Sequence, residues 1–126
     1  MTNKPIVTAI QSNLSTNNID RLKSFYGELF GAEEYMRVPD GRGGPFYVCV
    51  RFGAADLGIV KAKSGADAAP GRVILAVFVE SVDDLLPRVE PAGGTVLGPA
   101  KNMPWGHRVA HITDPDGNPV NLTQQL

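Results

Sequence analysis

Apolar residues recur along this chain in two rhythms, and the rhythms alternate in the same order twice. Over Ile6 to Leu14 the positions alternate. Val7, Ala9 and Gln11 share one face, and Ile6, Thr8 and Ile10 the other, which predicts a strand. Ile19, Leu22, Phe25, Tyr26, Leu29 and Phe30 then form a stripe at helical spacing. Asn17 and Asn18 precede the stripe as N-caps, and Gly31 follows it as the C-cap. Gly27 inside the stripe costs about 1 kcal/mol against alanine, which close packing would offset. Three strands are predicted next: Glu34 to Val38, Phe46 to Phe52 and Asp56 to Ala62. The turn at 39–45 is glycine-rich and expected to be mobile. It lacks the G-x-G-x-x-G spacing and opens no helix, so it does not read as a phosphate loop.

Residues 63–71 (KSGADAAPG) are small, polar and aperiodic, a linker between two halves of about sixty residues each. Val73 to Val79 is uniformly apolar, which predicts a strand covered on both faces. Ser81 with Asp84 makes a capping-box-like start to a helix carrying Val82, Leu85, Leu86 and Val89. Pro87 is expected to kink or shorten that helix. Gly93-Gly94 ends the segment, Thr95 to Leu97 is a short strand, and a hairpin closes the chain around Asp114-Pro115-Asp116-Gly117-Asn118-Pro119. Asp114 can accept hydrogen bonds from the following backbone, Pro115 pre-sets a type I turn, and Gly117 supplies the left-handed conformation. Each half therefore reads strand, helix, three strands. Neither half can bury its helix and its sheet alone, so the two are expected to pair in one α+β domain spanning 1–126. Module one covers about 5–62 and module two about 72–126.

Composition narrows the functional classes. The chain has 126 residues, 43% hydrophobic and 20% charged, with a net charge of −1 and a pI near 6.1. No such field gathers nucleic acid or anionic lipid. The first residues lack an apolar signal region and no run approaches membrane-spanning length, so a cytoplasmic setting is expected. Cys49, the only cysteine, sits in the apolar run Phe46 to Val50 and reads as a buried structural thiol. Tyr47, Cys49 and Arg51 share a strand face opposite Phe46, Val48, Val50 and Phe52. Arg51 is an anion or carbonyl donor if that face meets a cleft, and a surface charge otherwise. His107 and His111 lie ~13 Å apart on one strand face, too far to share an ion whose bonds are about 2 Å. They read as a polar face, solvated or turned to a cleft. Trp105 either lines a cleft mouth or covers one end of the core.

Three sets of residues together resemble the vicinal oxygen chelate superfamily, which holds glyoxalase I, extradiol dioxygenases, and fosfomycin- and bleomycin-resistance proteins. They are Asn18-x₆-Phe25-Tyr26 with Leu29-Phe30-Gly31, then Ser81-Val82-Asp83-Asp84-Leu85 with Ala92-Gly93-Gly94, and finally Trp105-Gly106 with Asp114-Pro115-Asp116-Gly117-Asn118. The resemblance implies two βαβββ modules whose curved mixed sheets enclose a cleft, helices on the outer faces, and a homodimer. Metal-using relatives carry four ligands on the cleft. Carried over, these positions fall at Gln11, near Gly58 with Asp56 on the same strand face, at Ile74 and at Asn121. Isoleucine and glycine offer no donor, and a neutral asparagine is a poor ligand for a divalent ion. The expectation is therefore no metal cofactor, with Gln11 and Asp56 the candidate ligands if one binds. The expected function is small-molecule binding, including antibiotic sequestration, through Gln11, Tyr47, Arg51, Trp105, His107 and Asn121. The alternatives are a lyase, dioxygenase or isomerase with a non-standard or metal-free site, and a regulatory interaction module.

Overall fold

The computed structural model of the chain describes residues 11–62 and 73–126. The first half runs β1 (Ser12–Thr16), α1 (Ile19–Phe30), β2 (Glu33–Pro39), β3 (Pro45–Phe52) and β4 (Ala55–Lys61). Its strands are ordered β1-β4-β3-β2, with β1 parallel to β4 and the other pairs antiparallel. The second half runs β5 (Leu75–Phe78), α2 (Val82–Val89), β6 (Thr95–Val96), β7 (Lys101–Asn102), β8 (His107–Thr113) and β9 (Pro119–Gln125). Its order is β5-β9-β8-β6, β5 is parallel to β9, and the unanticipated two-residue β7 pairs with β8. The halves thus repeat one topology. Of the strand expected over 6–14, residues 6–10 lie outside the described residues, and the observed strand ends two residues later, at Thr16. The 63–71 linker lies outside them too.

Both helices begin as their capping residues dictate. Asn18 Oδ1 accepts from the Arg21 amide at 3.0 Å, and Ser81 Oγ from the Asp84 amide at 3.2 Å. Gly31, at φ 74°, closes α1 in the left-handed conformation. Pro87 lies inside α2, which ends two residues later at Val89. α1 packs on β3 and β4, and α2 on β8 and β9. The strand residues of one parity (Val48, Val50, Leu57, Ile59, Ala110, Ile112, Val120, Leu122) join the helix stripes in one continuous core. The opposite parity faces away from the helices and carries the polar groups of the candidate site, while Phe52 and Leu57 reach its cleft from the edge of the core.

The two modules are fastened through α1. Tyr26 Oη donates to Asp114 Oδ2 at 2.9 Å, and both residues are buried. Asp114 Oδ1 accepts from the amides of Asp116 and Asn118, each at 2.9 Å, and Oδ2 also accepts from Asn118 Nδ2 at 2.8 Å. Arg21 pairs with Asp116 beside them, and Arg88 Nη2 donates to the Glu28 carbonyl at 3.0 Å. Gly94 sits so close to α1 that a Cβ there would come within 2.6 Å of both Phe25 Cε1 and the Thr113 carbonyl. The closing turn has its expected form, with the Gly117 amide donating to the Asp114 carbonyl at 2.9 Å and φ 85° at Gly117. Its second role, as an acceptor hub for the other module, is not visible from local chemistry.

Two expectations need correction. The apolar run at 73–79 is not covered on both faces: Val73, Ile74 and Phe78 are 67%, 55% and 63% exposed. β5 is an edge strand, with Leu75 and Val77 turned to the core and the other face open. The glycine-rich 39–45 turn is organised by Asp40 rather than loose. Asp40 Oδ1 accepts from the Arg42 and Gly44 amides (2.6 and 3.2 Å), and its own amide donates to the Gly44 carbonyl. Those amides, with Lys61 adding, hold the Asp40 carboxyl below its ordinary range.

Candidate functional site

A cleft of about 640 Å³ opens where the start of β1 and the β3–β4 turn face β5. Gln11, Asp56, Leu57 and Phe52 line it from the first module, Ala76 and Phe78 from the second. Beside it lies a compact polar cluster. Gln11 Nε2 donates to Tyr47 Oη at 2.8 Å and to Asn13 Oδ1 at 3.1 Å, with a longer contact to Cys49 Sγ at 3.8 Å. Tyr47 Oη in turn donates to Asn13 Oδ1 at 3.2 Å. The strand registers explain the meeting: Asn13 and Cys49 both stand opposite Gly58, from β1 and β3. Because Gly58 has no side chain, the three polar groups close over it. A Cβ at that position would lie 2.0 Å from Asn13 Oδ1, 2.8 Å from Gln11 Nε2 and 2.8 Å from Tyr47 Oη. The Tyr47 phenol is held above its ordinary range, chiefly by the neighbouring Cys49 side chain and then by burial.

The remaining expected residues fall around this centre. Arg51 is on the Tyr47 face but already engaged, with Nε 2.8 Å from Asp56 Oδ1 and its guanidinium 4.2 Å above the Tyr35 ring. On the second sheet, His107 meets Phe78 edge-on at 5.5 Å, which places it next to the cleft wall. Asn121 stands between Ala76 and His111 in the strand register, and its Oδ1 is 2.7 Å from His111 Nδ1. Trp105 is 66% exposed in the connection before β8; it neither lines the cleft nor covers the core. Gln11 is thus the only one of the six expected ligand residues on the cleft wall, with Tyr47, Arg51, His107 and Asn121 one contact behind it. The sequence reading missed Asn13 and Phe78. Asn13 was legible, being two residues from Gln11 on the same strand face. Phe78 was not, because a uniformly apolar run does not reveal its open side.

Comparison with known proteins then decides the family. The profile of the Glyoxalase/Bleomycin resistance protein/Dioxygenase superfamily matches residues 7–122. The chain belongs to this superfamily. Over 113 residues it is 32% identical to proteins of Mycobacterium bovis and Mycobacterium tuberculosis named "Putative glyoxylase CFP32", covering 89% of this chain but only 43% of theirs. Among solved structures, a glyoxalase/bleomycin resistance protein/dioxygenase family enzyme from Burkholderia phytofirmans PsJN superposes with a TM-score of 0.78 at 20% identity, covering 92% of this chain and 97% of that one. The fosfomycin resistance protein FosX from Listeria monocytogenes superposes at 0.75 with 17% identity, covering 97% and 96%. At these identities the superpositions establish the fold.

The residues at the superfamily's metal positions do not fit a divalent ion. Gly58 offers no donor, and the space a side chain would need there is filled by Asn13, Gln11 and Tyr47. Ile74 is a hydrocarbon, the Asn121 amide is paired with His111, and Asp56 is paired with Arg51. Among the described residues, no three His, Cys, Asp or Glu side chains converge. A catalytic zinc or iron site needs about three such ligands. Nor is any described helix long and apolar enough to cross a membrane.

Proposed function

We propose that the chain is a small-molecule binding protein whose ligand occupies the cleft between the two sheets and is held without a metal ion. The observation that carries this reading is the Gln11–Asn13–Tyr47 cluster closed over Gly58, beside a cleft walled by Phe52, Leu57 and Phe78. Such a site suits a ligand with an apolar or planar body and one hydrogen-bonding edge: the aromatic wall takes the body, and the amide and phenol groups orient the edge. Antibiotic sequestration is the biological role this reading carries. A homodimer is part of the same proposal, supported by the exposed apolar residues Val73, Ile74 and Phe78, and light scattering after size exclusion tests it.

The direct test is calorimetric titration with bleomycin-, mitomycin- and quinone-like compounds, with and without EDTA, alongside elemental analysis of the purified protein. The expected result is one ligand per chain, unchanged by EDTA and without turnover. Gln11→Ala should weaken binding about tenfold, the equivalent of one hydrogen bond. Binding or turnover that EDTA abolishes and a metal restores would overturn the reading in favour of a lyase, dioxygenase or isomerase. No binding by any compound would leave a regulatory interaction module. Calorimetry is preferred to tryptophan fluorescence because Trp105 stands apart from the cleft.

A further inference from the structure

We infer that the cleft selects cations: Asp56 is its charged subsite and takes the ammonium or guanidinium group of an amphipathic ligand. The inference rests on the reading of the cleft as a ligand site and adds the charge of what it holds. Among the described residues, Asp56 is the only charged side chain on the cleft wall. The rest of the lining is small, aliphatic or aromatic, apart from Gln11 and Ser12. Phe52 and Phe78 stand in the same wall as the carboxylate. A cation is drawn to both, by the charge of the one and by the negative ring faces of the others. An anion finds no lysine or arginine on that wall.

Arg51 is the counter-ion of this subsite rather than a donor to the ligand. The tight β3–β4 turn, with Gly53 at φ 60°, sets Arg51 and Asp56 opposite each other in the strand register. Their pair rests on one hydrogen bond. Arg51 Nε donates to Asp56 Oδ1 at 2.8 Å, and Oδ2 has no donor among the described residues. The two side chains are 56% and 36% exposed, and an ion pair in that setting is weak and readily opened. Arg51 also has a second seat. Its guanidinium lies 4.2 Å above the Tyr35 ring, so it keeps a cation–π partner when a ligand's cation takes the carboxylate. An anionic ligand would have to reach past the wall for Arg51, draw it off Asp56 and leave that carboxylate unpaired. The same pair of residues thus admits one sign of charge and works against the other.

Three probes of one shape test the assignment: 2-naphthylmethylammonium, 2-naphthalenemethanol and 2-naphthoate. Each is titrated into the full chain at neutral pH and followed by the methyl NMR signals of Leu57, Leu75 and Val77 on the cleft wall. The ammonium should bind at least about fivefold more tightly than the alcohol, the scale of one exposed charge pair, and the naphthoate more weakly than either. That advantage should shrink with added salt. Asp56→Asn should abolish it. Arg51→Gln should enlarge it, because the competing cation is gone; an arginine that served the ligand directly would instead weaken naphthoate and leave the ammonium unaffected. Unchanged methyl signals of Leu22 and Ile59 in the core show that each variant is folded. Equal binding of the three probes, a preference for naphthoate, an advantage that survives Asp56→Asn, or one that Arg51→Gln fails to enlarge would each overturn the charge assignment while leaving the cleft a ligand site. No saturable methyl shift with any probe would overturn both.

Discussion

A Cβ at Gly94 would meet a ring atom of Phe25 and the backbone carbonyl of Thr113, both at 2.6 Å, and the backbone cannot yield. Gly94→Ala is therefore expected to cost about 3 kcal/mol, read as a lowered denaturant midpoint at unchanged slope. At Gly58 the clashing atoms are the ends of side chains. Gly58→Ala should cost only about 1 kcal/mol while displacing the polar cluster, so calorimetry should show the cleft ligand lost from a folded protein. Tyr26 gives a pH signature. Burial first, and then Asp114, raise its phenol far above the ordinary value near 10. The folded chain keeps a proton that the unfolded chain releases, so this contribution is complete below about pH 10 and declines as pH rises further. Tyr26→Phe should flatten that alkaline decline and cost about 2 kcal/mol at neutral pH. Both partners were legible as motif residues. Their contact spans 88 positions, which no local pattern encodes.

Helix starts and the succession of elements along the chain, apart from β7, were readable because caps and periodicity are local. Ser81→Ala tests the cap at the start of α2 and should lower stability by about 1 kcal/mol in thermal denaturation. β5 marks the limit of such reading. An apolar run states what is able to be buried, whereas coverage depends on which edge of which sheet the strand occupies. β2 shows the converse. All seven of its residues are exposed, and its outer charges are tied to α1 and to each other: Glu34 meets Lys23 at 3.1 Å and Arg37 at 2.7 Å. Arg37 first, and then Lys23, lower the Glu34 carboxyl to about 2. The stability this confers is present above its ordinary pKa, near 4.3, and fades as pH falls toward 2. Urea denaturation between pH 6 and pH 2.5 should therefore show a shallower acid loss in Glu34→Gln. The difference should be below about 1 kcal/mol and shrink with added salt, because the pair is partly exposed.

The two modules share a core and a clasp, so they should melt as one unit. Asp114→Ala removes the acceptor for Tyr26 and for three donors of the closing turn. It is expected to lower stability by about 3 kcal/mol, with hydrogen exchange rising in both modules rather than in the second alone. The superfamily motifs therefore mark the joint between the halves more than they mark chemistry. That is why the architecture was readable from them and the contents of the cleft were not. Gly58 and Asn13 carry a last consequence, for descent. A side chain at position 58 would overlap the Asn13 amide at 2.0 Å, so substitutions at the two positions have a preferred order. A lineage gaining a ligand at 58 would have to displace the Asn13 amide, a cost that a shorter residue 13 removes, and one losing a ligand would favour asparagine at 13 once 58 is empty. Reconstructed intermediates should favour a small residue at 13 whenever 58 bears a side chain.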